Sequence, residues 1–78
     1  MPTILKIGSN RFHFYSNENQ EPPHIHVRTP NGECKFWLNN IQLAKNIGIP
    51  VHKLHEIEKL VYKNKEFLME KYYEFYNN

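Results

Sequence analysis

Residues 21–28, EPPHIHVR, place His24 and His26 two positions apart, directly after two prolines and with Arg28 next in phase. Pro22 and Pro23 have no amide N–H to donate, so the segment before His24 reads as a loop that leaves a sheet. Alternate side chains of a strand share a face, so His24, His26 and Arg28 point the same way. Three readings of this pattern stay open. An imidazole near its ordinary pKa of ~6.5 gives and takes protons at neutral pH. With Arg28, Lys35 and Tyr15 beside them, the two rings suit acid–base cleavage of RNA, the cations holding the phosphate. The same residue types also bind without cutting: aromatic rings stack bases and cations meet phosphates, or both anchor a partner protein. In the third reading the imidazoles are structural and hydrogen-bond the carbonyls of the Glu21-Pro22-Pro23 loop, setting its path. Cations near the rings disfavour imidazolium, so at least one histidine pKa is expected to fall. If the face is exposed, replacing His24 or His26 by Ala is expected to cost about 1 kcal/mol or less.

A metal site would need more than this pair. Zinc takes three or four protein ligands supported by outer partners, and a third ligand here would come from His13 or Glu33 on neighbouring strands. Two histidines alone are no set, so the sequence predicts no metal and no cofactor. His52 and His55 do not form a metalloprotease motif, because Lys59 stands where the second histidine of H-E-x-x-H would fall; they read as a solvated helix face. Cys34 lies in phase with Phe36 and Leu38 and reads as a buried, inert thiol.

The elements that must position these residues follow from the hydrophobic period. Residues 3–7, 11–16, 24–29 and 33–38 alternate as strands, with turn signals at Gly8-Ser9-Asn10 and at Pro30-Asn31-Gly32, where Asn-Gly tolerates positive φ. Asn39 or Asn40 caps a predicted short helix through Asn46, ended by Gly48. Pro50 then opens a long helix from Val51 to Tyr76, with Leu54, Ile57, Val61, Leu68, Tyr72 and Phe75 on one stripe and an interruption at Lys63-Asn64-Lys65. The predicted architecture is α+β: a four-stranded antiparallel sheet of two hairpins, with the short helix and the long C-terminal helix packed on one face. That face is Phe12, Phe14, Ile25, Val27, Cys34, Phe36 and Leu38. The other face is expected to be open and to carry Arg11, His13, Tyr15, His24, His26, Arg28, Lys35 and Trp37. A helix of about 25 residues measures ~37 Å, longer than a six-residue strand of ~20 Å. Its end, with Phe67, Leu68, Met69, Tyr72, Tyr73, Phe75 and Tyr76, is therefore expected to overhang and to offer a surface for self-association or a partner.

At 78 residues the chain allows one domain, 1–78, with a sheet half over 1–38 and a helical half over 39–78. So small a domain buries roughly 60% of its unfolded surface and has little room for an enclosed pocket. Ten Lys and Arg against eight Asp and Glu give a net charge of +2, too little to argue for nucleic acid. One cysteine excludes an intrachain disulfide and fits a reducing compartment. No stretch approaches the ~18 apolar residues of a membrane span, and the N-terminus does not read as a signal peptide. The expectation is a cytoplasmic protein with no membrane association.

The segments MPTI, RFHFYSNE, EPPHIHV and KFWL, followed by a helix of the HEIEKLV type, resemble the small bacterial domain-of-unknown-function family 4160 across almost the whole chain. The resemblance implies a setting and no defined activity: a component of a two-gene, toxin–antitoxin-like module, whose partner is a small protein encoded by the adjacent gene. By motif it picks out Phe14, Tyr15, Glu21, Pro22, Pro23, His24, His26, Lys35, Phe36 and Trp37. Pro50 departs from the small polar cap expected there. The expected function is binding, through the open sheet face, of that partner and of RNA as a further ligand, with Arg11, His13, Tyr15, Glu21, Arg28, Lys35 and Trp37 as contact residues. The alternative is a ribonuclease-like toxin in which His24 and His26 are catalytic. The low net charge favours a protein partner.

Overall fold

The computed structural model describes residues 3–18 and 20–76; the Met1-Pro2 half of the MPTI motif lies outside them. Five strands form one antiparallel meander in the order β1 (Thr3–Ile7), β2 (Asn10–His13), β3 (His24–Arg28), β4 (Glu33–Trp37) and β5 (Gln42–Ile47). Two helices follow, α1 (Val51–Lys63) and α2 (Lys65–Tyr76). The α+β class and the antiparallel sheet are as expected, but the sheet has five strands, not four. No helix among the described residues is long and apolar enough to cross a membrane.

The extra strand replaces the predicted short helix of residues 39–46. Gln42, Leu43, Ala44 and Lys45 are good helix formers taken alone. The free edge of β4 offers a ladder of backbone donors and acceptors, and pairing with it overrides that local preference. Residues Glu33 to Trp37 pair with Ile47 to Gln42, with one irregularity between Lys35 and Phe36. Asn39 and Asn40 serve in the turn, not as helix caps, and Ile41 takes a positive φ of 49°, an uncommon conformation for a β-branched residue.

The 29–32 turn is present, but Asn31 does not use positive φ. Thr29 and Gly32 close it by reciprocal backbone bonds, with Pro30 and Asn31 at its tip. The glycine is needed for a different reason. A Cβ on Gly32 would stand 1.9 Å from the Ile47 carbonyl oxygen, so the tight turn and the end of β5 touch backbone to backbone.

The long helix is broken in two. Asn64 closes α1, its side-chain amide and its backbone N–H both donating to the Leu60 carbonyl, and its own carbonyl accepts from Leu68 N–H at the start of α2. The predicted single helix is thus two helices of 13 and 12 residues, and both bury residues in the core cluster. All seven predicted sheet-core residues are buried, in one cluster with Ile49, Leu54, Ile57, Val61, Leu68 and Tyr72. Pro50 stands at the N-cap of α1 with φ −68° and ψ 154° and supplies no side-chain cap. Only its carbonyl serves the helix, accepting from Lys53 and Leu54.

Candidate functional site

Three neighbouring strands bring the polar cluster together. His13 on β2 lies directly opposite His26 on β3, and His26 lies opposite Lys35 on β4. Arg28 faces Glu33 one step along. The His13 and His26 rings stack with centroids 5.6 Å apart, and Tyr15 meets His26 edge-on at 4.5 Å.

The sequence leads one to expect an open face here, but the face is covered. The loop joining β2 to β3 folds back over it, and His24 is fully buried while His13 and His26 are each 7% exposed. The loop is held by the prolines as acceptors: the Pro23 carbonyl takes Leu38 N–H at 2.9 Å, and the Pro22 carbonyl lies 2.8 Å from His24 Nδ1. From the loop, Glu18 places one oxygen, Oε1, 2.8 Å from His24 Nε2 and 2.6 Å from His26 Nε2. Helix α2 secures the outside, where Tyr72 donates to the Glu21 carbonyl at 2.9 Å and Tyr76 donates to the Tyr15 carbonyl.

Two of the cations on this face, Arg28 and Lys35, are already paired, while Arg11 and Lys45 are exposed. Arg28 Nη2 stands 2.9 Å from Glu33 Oε1, and Tyr15 donates to Glu33 Oε2 at 2.6 Å. His26 Nδ1 and His13 Nε2 lie 3.5 Å and 3.6 Å from that same Oε2. Lys35 pairs with Glu21 and sits over the Trp37 ring. Burial pushes the His26 pKa down against the raising effect of Glu18, and burial likewise lowers His13 against Glu33. The fall expected from neighbouring cations therefore occurs, but exclusion of water is its chief cause. Burial works to raise the Glu18 carboxyl, yet the hydrogen bonds and charges of His26, His24 and Lys35 together hold it below its ordinary value.

A cleft of about 470 Å³ opens beside the cluster, lined by Tyr15, Glu18, Glu21, His26, Glu33, Lys35, Lys45 and other residues. His24 does not line it. A two-histidine acid–base mechanism needs both rings within reach of the substrate, and here only His26 presents an edge. Arg11 is exposed at a separate shallow cleft with Lys6 and Arg28. Trp37 is half-buried, edge-on to His24 at 6.0 Å. At the C-terminal end Tyr72 is buried, Met69 and Tyr76 are half-buried against the core, and only Phe67 and Tyr73 remain exposed. The large partner surface expected on that helix is mostly core.

Glu18 is the residue the sequence does not single out. It lies six positions before His24 in an irregular loop, where no periodicity tells which way a side chain turns. The outcome is a His–Glu–His group whose three ligand atoms lie within 4.8 Å of one another. Neither His13 nor Glu33, the expected third members, belongs to it.

No curated protein and no solved structure matches the chain. A family model described as "Domain of unknown function (DUF4160)" matches residues 10–73, from the first residue of β2 to within three residues of the end of α2. The match takes in the β2–β3 loop and all the residues of the polar cluster, and the chain belongs to that family.

Proposed function

We propose that this chain is the binding component of a two-gene, toxin–antitoxin-like module in the cytoplasm, and that it holds a small partner protein along the free edge of β5. One observation carries the reading. Among the described residues β5 pairs only with β4, which leaves its outer backbone edge unpaired, and Leu43 and Ile47 on it are 45% and 59% exposed. Such an edge is a template for an added strand, whose main chain supplies affinity while flanking apolar side chains supply specificity. Lys45 is the one charged side chain on β5.

The alternatives fit less well. RNA binding through the histidine face would rest on Arg11 and Lys45, since Arg28 and Lys35 are tied to Glu33 and Glu21. A ribonuclease using both histidines would need a substrate to reach a fully buried His24. Self-association through the C-terminal helix would rest on Phe67 and Tyr73 alone.

The test is co-expression with the product of the adjacent gene, followed by co-purification and an affinity measurement on Leu43→Lys and Ile47→Lys variants. The expected result is a stable complex that each variant weakens at least tenfold, about 1.4 kcal/mol, while the melting midpoint of the free chain is nearly unchanged. No complex, or one indifferent to both substitutions, overturns the proposal.

A further inference from the structure

Pro22 contributes a carbonyl, which only accepts, so the 2.8 Å contact with His24 Nδ1 requires that this nitrogen carry the hydrogen. Nε2 of an uncharged His24 ring is then a bare lone pair. It points at Glu18 Oε1 from 2.8 Å, and Oε1 is an acceptor too. A positive centre must stand between the two atoms. His26 directs its own Nε2 at the same oxygen from 2.6 Å, and its Nδ1 faces Glu33 Oε2 at 3.5 Å. Two ring nitrogens thus converge on one carboxylate oxygen, the three atoms lying within 4.8 Å of one another, and each ring has an oxygen near its remote nitrogen.

We propose that Glu18, His24 and His26 form a binding site for a single divalent transition-metal ion of the zinc class. Two imidazoles and one carboxylate suit Zn²⁺ or Co²⁺ and not the all-oxygen preference of Mg²⁺ or Ca²⁺. The outer partners fit as well: ligating histidines commonly donate their second nitrogen to a backbone carbonyl or a carboxylate, which fixes the ring and its tautomer. Pro22 O fills that place for His24, and Glu33 Oε2 stands 3.5 Å from the second nitrogen of His26. A tetrahedral ion with bonds of ~2.0–2.1 Å spaces its ligand atoms by roughly 3.4 Å. The observed 2.8 Å and 2.6 Å separations would have to open by roughly 0.6–0.8 Å to reach that spacing, which Glu18 can supply because it sits on a loop. Three protein ligands leave a fourth position for water, on the side where Glu18 and His26 line the cleft. Cys34 borders the cleft but takes no part, because it is buried in the apolar core cluster and lies outside the ligand group.

The site also gives the EPPHIHV segment a physical role: the prolines shape a loop whose carbonyl orients one ligand and whose Glu18 supplies another. The cleft beside it is also lined by Lys45 and Ile47 of β5, but metal binding by the free chain is read without a partner, so either proposal stands if the other falls.

The experiment uses the full chain without a histidine tag, stripped with chelator and titrated with Co²⁺ and then Zn²⁺. Visible absorption reads the cobalt geometry, and calorimetry and the melting midpoint read zinc. The expected result is one equivalent bound, with visible bands of a four- or five-coordinate ion and a raised melting midpoint. Glu18→Gln and His26→Gln should each weaken binding by more than about 100-fold, beyond the ~10–100-fold typical of losing an outer partner, which Glu33→Gln should show. The exposed His52 and His55 on α1 provide the control, since a His52→Ala/His55→Ala variant should bind as the parent does. Binding that survives Glu18→Gln but is lost in the His52/His55 variant means an adventitious ion only and overturns the proposal. So does the absence of any metal-dependent spectrum or melting shift, which leaves a proton as the bridging charge. Glu18→Gln keeps the size of the side chain, and its circular dichroism and melting establish folding before binding is compared.

Discussion

The Tyr72 hydroxyl donates a 2.9 Å hydrogen bond to the Glu21 carbonyl, joining the last helix to the loop that carries Glu18. Beside it Tyr76 donates to the Tyr15 carbonyl at the start of the same loop. Each bond is expected to contribute roughly 0.5–1.5 kcal/mol. Urea denaturation of Tyr72→Phe, Tyr76→Phe and the double variant measures this. The shared loop predicts that the double loss differs from the sum of the single losses. Strict additivity would mean that the two tyrosines act on independent segments.

His24 and His26 are expected to behave as core residues. His24 is fully buried with both ring nitrogens engaged, by Pro22 and Glu18. Truncating it empties a side-chain volume and leaves a carbonyl and a carboxylate without their partner, for a cost of roughly 2–4 kcal/mol. His26→Ala should also exceed 1 kcal/mol, which revises the small cost expected for an exposed face. If thermal melts place either variant within a few tenths of a kcal/mol of the parent, the covering loop does not close over the rings in solution.

Gly32→Ala tests the contact between the 29–32 turn and β5. With a Cβ 1.9 Å from a backbone oxygen, neither side can yield by rotating a side chain. A loss of about 1–3 kcal/mol, as for other overpacking, should accompany faster amide exchange along β5. Unchanged exchange there would show that the turn moves away without disturbing the strand.

Alkaline pH should destabilise the fold through Tyr76. Burial, then the charge of Glu18 with Tyr72 and Glu21, pushes its phenol up to about 12. An unfolded tyrosine ionises near pH 10, so between about 10 and 12 the folded state holds the proton that the unfolded state has released. Stability from this group is complete below pH 10 and is lost as pH rises through 12. Tyr76→Phe removes the ionisation, so its melting midpoint should fall less steeply across that interval. Cys34, Tyr15 and Tyr72, also raised, contribute to the slope that remains.

Cys34 should be silent to thiol reagents in the native state. Burial raises its pKa to about 12, and only the thiolate reacts at a useful rate. At pH 8 an aromatic disulfide reagent should label it no faster than the chain unfolds, and at once in denaturant. Rapid native labelling would place Cys34 outside the core.

The periodic elements were legible in the sequence. Alternation of Phe12 with Phe14, Ile25 with Val27, and Cys34 with Phe36 and Leu38 marks a buried sheet face, because a strand's side chains alternate by covalent geometry. The spacing of Leu54, Ile57, Val61, Leu68 and Tyr72 marks the helical face for the same kind of reason. These patterns also placed His24, His26, Arg28, Lys35 and Trp37 on one side of the sheet. The family followed from short segments whose residue types are unusual together.

What only the tertiary structure decided lies where no period operates. Residues 42–47 have local preferences compatible with a helix, and antiparallel pairing with the open edge of β4 makes them a strand. The β2–β3 loop has no repeating geometry, so its fold over the histidine face, and with it the meeting of Glu18 with His24 and His26, depends on the prolines, Leu38, Tyr72 and Tyr76 acting together. Period two says which face a histidine occupies. Whether that face meets water is set by what the rest of the chain lays across it.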